Sequence, residues 1–188
     1  MPANVFHFKQ FSIYQDRCAF KVGTDGILLG AWAGETPALN AVEAAIFRAL
    51  DIGTGTGLIA LMLAQRFPKA VIDAIEIDEQ SASQAIENVT QSLWADRVCI
   101  HNSAIQDFPK HNHPRYDLIV SNPPFFSTAR NLSAAGQREG TRQTTQLSHE
   151  DLLHTVNRLL GENGRFCTIL PTATTQQFCQ LAALNNLY

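Results

Sequence analysis

Short apolar runs alternate with helix-like segments along most of this chain. From about residue 49 onward, five short runs of β-type residues predict strands at residues 49–52, 71–77, 97–101, 116–121 and 165–170. Several of the intervening segments carry apolar residues at the i, i+3 and i+4 spacing of a helix with one buried face. Strands that alternate with helices are typical of a parallel sheet covered by helices. The pattern therefore predicts an α/β fold with a mostly parallel sheet.

The predicted helices have identifiable starts, ends and inner faces. Pro68 ends the first of them, and Ser148 begins a later one with a capping-box pattern. Residues 24–32 predict a short capped helix that packs beside the first strand. The helix after the second strand is predicted to turn five apolar residues inward: Ala82, Ala85, Ile86, Val89 and Leu93.

Length and composition predict one folded domain. The 188 residues suit a single domain, in which residues 1–48 form an N-terminal extension and residues 49–188 form the α/β core. With 45% hydrophobic and 16% charged residues, the composition excludes an intrinsically disordered chain. No apolar run approaches the ~20 residues of a membrane span, and the N-terminus lacks the apolar core of a signal peptide. We expect a soluble cytoplasmic protein with no membrane partner.

Charge is distributed unevenly along the chain. The net charge of −3 excludes a surface that binds polyanions as a whole. Four acidic residues lie between positions 73 and 79, whereas Arg130, Arg138 and Arg142 stand against Glu139 alone. An acidic site and a basic loop would suit a cationic cofactor and an anionic substrate, although charge alone favours two solvated stretches.

Cysteine and histidine spacing indicates no metal cofactor. The chain contains no C-x-x-C pair, and its cysteines are expected to be reduced and mostly buried: Cys18, Cys99, Cys167 and Cys179. His111 and His113 lie in a polar stretch without a carboxylate or thiol at ligand spacing.

A glycine-rich turn follows the first predicted strand. In the run from Asp51 to Gly57, glycines alternate as G-x-G-x-G, which lets a ligand approach backbone N–H groups at a helix N-terminus. The aspartate before them suits a ligand ammonium better than a pyrophosphate. Glu76, at the end of the second strand, stands where acidic residues bind ribose hydroxyls in nucleoside-binding α/β folds.

A second motif follows the fourth predicted strand. Asn122-Pro123-Pro124-Phe125 is stiff, because each proline fixes its own backbone and restricts the preceding residue. The Asn122 side-chain oxygen and the Pro123 carbonyl offer two acceptors, and Phe125 offers a flat apolar surface. Such a turn is commonly structural when it stands alone. Beside the glycine turn it favours a site for a planar heterocycle that carries an exocyclic NH₂.

The combination of motifs resembles a known family. The pair D-I-G-T-G-T-G and N-P-P-F is similar to that of Rossmann-like, S-adenosylmethionine-dependent amino-methyltransferases. Residues 6–11, 21–32 and 91–97, together with Gln137-Arg138-Glu139, resemble the bacterial tRNA1(Val) (adenine(37)-N6)-methyltransferases over nearly the whole chain.

The resemblance implies roles for individual residues. Asp51, Gly53, Gly55 and Gly57 are implied to hold the methionine part of S-adenosylmethionine, with Thr24 and its neighbours closing the pocket. Glu76 is implied to bind the ribose, and Ile77 to pack on the cofactor adenine. The target adenine is implied to be received by Asn122, Pro123 and Phe125, and Asn122 is also implied to line the cofactor pocket.

The chain departs from the family pattern at three places. Ala104 stands where relatives often carry an aspartate for the cofactor adenine, so we expect Ser103, Asp107 or backbone to make that contact. Phe125 replaces the usual tyrosine, which keeps stacking but removes a hydroxyl. The fold is also expected to lack the C-terminal β-hairpin of relatives, as a truncated chain would.

Together these features predict methyl transfer to N6 of an adenine in tRNA. We expect Lys9, Arg138 and Arg142 to contact phosphates of the RNA. An alternative enzyme is a protein glutamine N-methyltransferase, because an amide NH₂ also suits the N-P-P-F turn. An alternative from another class is a non-catalytic RNA-binding module that retains S-adenosylmethionine.

Overall fold

The computed structural model describes residues 4–34, 47–108, 114–123 and 147–188. Seven strands lie in these residues: β1 (Val5–His7), β2 (Ser12–Tyr14), β3 (Arg48–Ile52), β4 (Val71–Glu76), β5 (Val98–Asn102), β6 (Tyr116–Ser121) and β7 (Leu160–Thr168). The α-helices are α1 (Thr24–Trp32), α2 (Leu58–Arg66), α3 (Glu79–Thr90), α4 (His149–Leu159) and α5 (Thr172–Leu184), and a 3₁₀ turn spans Ile105–Asp107.

Five strands form a parallel sheet in the order β5-β4-β3-β6-β7. In the register, Ile52 on β3 lies opposite Ile75 on β4 and Ser121 on β6. Chain order reverses on the two sides of β3, as in doubly wound α/β folds. The predicted α/β class and its parallel sheet are confirmed.

Helices cover both faces of the sheet. On one face, Ala49 of β3 and Ile72 and Ala74 of β4 pack in a hydrophobic core with residues of α1 and α2. On the other face, Leu50 and Ile75 pack with α4 and α5. Alternate residues of each strand therefore serve opposite layers, which is the period-two pattern of a sheet buried on both sides.

Helix α1 packs closely on α2 through two glycines one turn apart. A Cβ atom at Gly30 would lie only 2.6 Å from the sulfur of Met62, and one at Gly26 would lie 3.4 Å from Leu58. At the far end of α1, Arg66 donates hydrogen bonds to the carbonyls of Gly30 and Ala33. The predicted helix is present, although its N-cap residue Gly23 makes no side-chain cap. It packs on α2, and its Leu29 shares a hydrophobic core with Ala49 of β3.

The prediction that the apolar residues of α3 and its C-terminal extension all face inward is wrong for two of them. Ile86 is 48% exposed and Leu93, which lies beyond the end of the helix, is 76% exposed. The helix is rotated so that Gln84 and Asn88 face inward beside the predicted Ala85. These polar residues can be buried because the N-terminal segment, defined here as residues 4–22, supplies hydrogen-bond partners for them.

Two further expectations need correction. Strand β7 begins at Leu160, five residues before the predicted start, because the chain leaves α4 directly into pairing with Tyr116 and continues after a register shift. All four cysteines are free, but only Cys18 and Cys167 are buried. Cys99 lies exposed on edge strand β5, and Cys179 lies exposed on α5. Within the described residues, every helix is too short or too polar to cross a bilayer.

Candidate active site

The predicted site segments meet at the carboxyl edge of the sheet. The glycine turn follows β3, Glu76 ends β4, Ser103 follows β5 and Asn122 follows β6. Strand order reverses between β3 and β6, and ligands of open α/β sheets bind outside such a reversal. The fold therefore brings these predicted cofactor and substrate residues to one edge.

The glycine turn has positive φ angles, which residues other than glycine rarely adopt. Gly53, Gly55 and Gly57 have φ values of 72°, 56° and 82°. Among the described residues, no atom lies within 4 Å of a Cβ built at Gly53 or Gly55, whereas one at Gly57 would contact Ala85 at 3.5 Å. The first two glycines therefore leave room for a ligand, and the third permits close packing against α3.

Asp51 lies fully buried beneath this turn. Its Oδ2 atom accepts hydrogen bonds from the Thr54 hydroxyl at 2.6 Å and from the Ala60 N–H at 3.1 Å. Its Oδ1 atom is also buried and has no hydrogen-bond partner among the described residues. Burial raises the pKa of Asp51 to about 7, against the lowering effect of those hydrogen bonds. A buried, unpaired carboxylate oxygen suits a cationic partner, as the sequence predicts.

Glu76 is held by the backbone around it. Its Oε2 accepts a hydrogen bond from the Gly55 N–H at 2.8 Å, and its Oε1 accepts one from the Asp78 N–H at 3.0 Å. Asp78 in turn caps α3 by accepting from the Ser81 N–H at 2.8 Å. The carboxylate is thus fixed beside the glycine turn at the start of α3.

The next corner contains the residues predicted for the cofactor adenine. Ile77 is 47% exposed, which leaves an apolar side chain open to a flat ligand. The Asn102 amide donates to the carbonyls of Glu76 and Ile77 at 2.9 and 3.3 Å. The Ser103 hydroxyl is buried without a partner among the described residues, and Ala104 is the N-cap residue just before the 3₁₀ turn. Ser103 thus provides an unused hydroxyl at the place where the chain lacks an aspartate.

Asn122 and Pro123 lie on the other side of the glycine turn. Ser121 fixes their strand by donating its hydroxyl hydrogen bond to the Ile52 carbonyl at 3.0 Å. Asn122 is half-buried, and a Cβ at Gly26 of α1 would lie 3.7 Å from its Nδ2. Thr24 is the exposed first residue of the same helix, and its role in closing the pocket stays a prediction.

Of the predicted RNA contacts, the structure describes only Lys9. Phe125, Arg138 and Arg142 lie outside the described residues. Lys9 is exposed in the β1–β2 turn and lines a polar cavity of about 340 Å³ together with Asn88 of α3 and Gln91, the C-cap residue of that helix. The structure places Lys9 near the C-terminal end of α3.

Asn88 is a site-adjacent residue that sequence analysis missed. Its side chain bonds the backbone of Tyr14 on β2 and also donates to the carbonyl of Thr56, inside the glycine turn. The available signal was Ser81, Gln84 and Asn88 at the i, i+3 and i+7 positions of one helix face. A polar face of this kind predicts a solvated surface until its partner is known.

A buried polar cluster crosses the middle of the sheet. Asp73 on β4 accepts hydrogen bonds from the Tyr116 hydroxyl at 2.9 Å and from the Arg48 guanidinium at 3.2 Å, and it bonds His101 at 2.8 Å. Cys99 lies on the same side, so ligand-type atoms of three residues approach one another. Partial desolvation of this exposed residue, with the charge of Asp73, raises the pKa of the Cys99 thiol, which disfavours the thiolate that metals bind. Because Arg48 already neutralises Asp73, we interpret the cluster as a structural network.

Sequence comparison places the chain among methyltransferases. The Methyltransferase small domain family matches residues 38–175. A tRNA1(Val) (adenine(37)-N6)-methyltransferase of Citrobacter koseri is 48% identical over 180 residues, which cover 95% of this chain and 70% of the relative. An enzyme of the same name from Pectobacterium carotovorum is 48% identical over 184 residues, covering 97% of this chain and 71% of the relative.

Solved structures share the fold at low sequence identity. Precorrin-6y C5,15-methyltransferase of Geobacter metallireducens has a TM-score of 0.56 at 13% identity, covering 92% of this chain and 79% of that one. TrmN of Thermus thermophilus has a TM-score of 0.55 at 23% identity, covering 87% and 41% of the two chains. These similarities concern the fold alone.

Proposed function

This chain belongs to the tRNA1(Val) (adenine(37)-N6)-methyltransferase family, and we propose that it methylates N6 of adenine 37, beside the anticodon of tRNA1(Val). Membership rests on 48% identity over 95% of the chain. The observation that carries the proposal is the arrangement of three motifs. Asp51, Glu76 and Asn122 belong to neighbouring strand ends at the reversal of strand order.

The cofactor site suits S-adenosylmethionine. When bound, S-adenosylmethionine supplies a methyl group on a positively charged sulfur. The unpaired Oδ1 of Asp51 would accept a hydrogen bond from the ammonium of S-adenosylmethionine, and the Glu76 carboxylate would accept hydrogen bonds from its ribose hydroxyls. Ile77 and the unused hydroxyl of Ser103 are matched to its adenine, with Ala104 beside them. The open space beside Gly53 and Gly55 leaves room for the part of S-adenosylmethionine that lies between its ammonium and its adenine.

Asn122 and Pro123 are proposed to act on the target base. The N6 lone pair of adenine is conjugated with its ring and is therefore a poor nucleophile. Two acceptors that bind both N–H groups favour a pyramidal nitrogen and strengthen as positive charge develops on it. The Asn122 oxygen and the Pro123 carbonyl provide these acceptors, while Phe125 stacks on the base. The N6 nitrogen would form its bond to the methyl carbon as the bond between that carbon and the sulfur breaks. S-adenosylhomocysteine would leave, and the extra N6 proton would pass to water.

RNA recognition is proposed to use base access and phosphate contacts. A base in a single-stranded loop can be splayed onto an aromatic ring, which a duplex prevents. Lys9, Arg138 and Arg142 are proposed to neutralise phosphates around that loop.

Labelled methyl transfer tests this function. The protein is incubated with methyl-labelled S-adenosylmethionine and tRNA1(Val), and the matched control is the same tRNA with guanine at position 37. We expect label in the first RNA and only background in the second. Label in bulk protein but not in RNA would support a glutamine methyltransferase instead. RNA and cofactor binding without any transfer would support a non-catalytic module.

A further inference from the structure

Asn88 makes three hydrogen bonds in the interior of the protein. It is 1% exposed, although it lies on a helix near the surface. Its Oδ1 accepts from the Tyr14 N–H at 2.8 Å, and its Nδ2 donates to the carbonyls of Tyr14 at 2.9 Å and Thr56 at 2.9 Å. Every hydrogen-bonding group of this amide is therefore used, two of them on one backbone residue.

The partners of Asn88 belong to two parts of the molecule that do not otherwise share a strand or helix. Tyr14 ends β2 in the N-terminal segment, and the next residue, Gln15, accepts a hydrogen bond from the Val22 N–H at 2.8 Å. Thr56 lies in the glycine turn, one residue from Gly55, whose N–H is bound by Glu76. One side chain thus bridges the N-terminal segment and the cofactor turn.

The N-terminal segment is fastened to α3 a second time, one turn away. Gln84 is 0% exposed and accepts from the Arg17 N–H at 3.3 Å. The Arg17 guanidinium forms an ion pair with Glu87 and donates to Ser83. This second attachment holds the segment to the helix without touching the glycine turn. It therefore provides a matched control.

We propose that Asn88 is a positioning residue that couples the seating of the N-terminal segment to the conformation of the glycine turn. The inference rests on the proposed function, because it assumes that S-adenosylmethionine binds that turn. A ligand that orders the Thr56 carbonyl strengthens the Asn88 contact, and this fixes the amide that holds Tyr14. Such coupling is reciprocal. Attachment of the N-terminal segment raises cofactor affinity by a certain factor, and bound cofactor raises the equilibrium constant for attachment of the segment by the same factor.

Hydrogen exchange of the Tyr14 amide tests this coupling in the unmodified protein. Calorimetry first establishes that S-adenosylmethionine binds. At saturating cofactor, we expect exchange at Tyr14 to slow by about fivefold or more, the lower end of typical couplings between sites. Unchanged exchange at Tyr14 in protein that binds the cofactor would overturn the inference and leave the proposed function intact. Absence of cofactor binding would overturn both.

Two variants separate coupling from simple attachment. Asn88→Asp keeps an acceptor for the Tyr14 N–H but lacks the donor for the Thr56 carbonyl, and with it the donor for the Tyr14 carbonyl. We expect its Tyr14 amide to remain hydrogen-bonded, while the cofactor-dependent slowing disappears and cofactor affinity falls by about fivefold or more. Arg17→Ala loosens the second attachment only, so it should keep the cofactor-dependent slowing. Slowing that persists in Asn88→Asp, or that is lost equally in both variants, would contradict a role specific to Asn88.

Discussion

The carboxylate of Glu76 accepts a hydrogen bond from the backbone N–H of Gly55 at 2.8 Å. The acidic residue proposed for the cofactor ribose therefore also holds the turn proposed for the methionine part. Cofactor binding and turn geometry depend on the same side chain. Replacement of Glu76 should therefore weaken cofactor binding and also loosen the glycine turn.

Replacement of Glu76 by alanine should weaken cofactor binding. Loss of charge-assisted hydrogen bonds costs ~1.5–3 kcal/mol, which corresponds to about 10- to 150-fold in affinity. Calorimetric titration with S-adenosylmethionine measures this loss. Glu79→Ala, an exposed carboxylate in the first turn of α3, is the matched control and should bind as the parent does. Unchanged affinity in a folded Glu76→Ala protein would place the pocket elsewhere.

Cofactor affinity should depend on pH through Asp51. Because burial raises the pKa of this carboxyl from 3.8 to about 7, it is protonated below that pH in the free protein. The ammonium requires the carboxylate, so affinity should fall by up to ~tenfold for each pH unit below 7. Asp51→Asn should bind weakly, with little pH dependence. A flat profile in the parent protein would contradict the proposed pairing.

The same group has the opposite effect on folding. A raised folded-state pKa means that the folded protein holds the proton more tightly than the unfolded chain does. The Asp51 contribution to stability is therefore present below pH 3.8 and is lost as the pH rises to about 7. Denaturant titrations of the parent and of Asp51→Asn measure this contribution as the pH dependence of the difference in their unfolding free energies.

Asn122→Ala should separate chemistry from cofactor binding. The Asn122 oxygen is proposed to bind the target amine and not the cofactor, so calorimetric affinity for S-adenosylmethionine should be retained. Methyl transfer should slow by ~10²–10³-fold, as on loss of one preorganised hydrogen-bond partner. Asn157→Ala, at an exposed position of α4, makes the same chemical change away from the site. Full turnover in Asn122→Ala would refute the proposed role.

The basic segment should control the salt dependence of tRNA binding. If Arg138 and Arg142 each contact one phosphate, their double alanine variant should flatten the slope of log K against log[salt] by ~1.4, at about 0.7 per contact to a single strand. Filter binding across a salt series measures the slope. A double alanine variant of the exposed Lys69 and Arg165 removes the same charge and should leave the slope unchanged. Equal slopes for both variants would make the segment an ordinary solvated surface.

Tyr116→Phe should destabilise the fold. The variant removes a buried hydroxyl that donates to Asp73, whose carboxylate still bonds Arg48 and His101. We expect a loss of ~1–3 kcal/mol in unfolding free energy by urea titration. Tyr188→Phe removes a hydroxyl from the exposed C-terminal residue and should be neutral. Equal stability of the two variants would contradict a structural role for the cluster.

Local patterns accounted for the features that lie close together in sequence. The glycine turn, the strand ends at Ile52 and Ser121 and the cap at Ser148 are each determined within a few residues, and the structure confirms them. Contacts between distant segments were not predictable in this way. Tyr14 and Asn88 are 74 positions apart, and Tyr116 and Asp73 are 43 apart. A buried Asn on a helix looks solvated until the segment that covers it is placed.

The close contact of Gly30 with Met62 links residue size on α1 to access at Asn122. Gly26, one turn earlier on the same helix, lies directly beside the Asn122 amide. A larger residue at position 30 must displace either the Met62 side chain or α1 itself. Where α1 moves, the spacing between this helix and the Asn122 amide changes with it, so residue size at position 30 is coupled to the site through the helix, although its own contacts are with Met62.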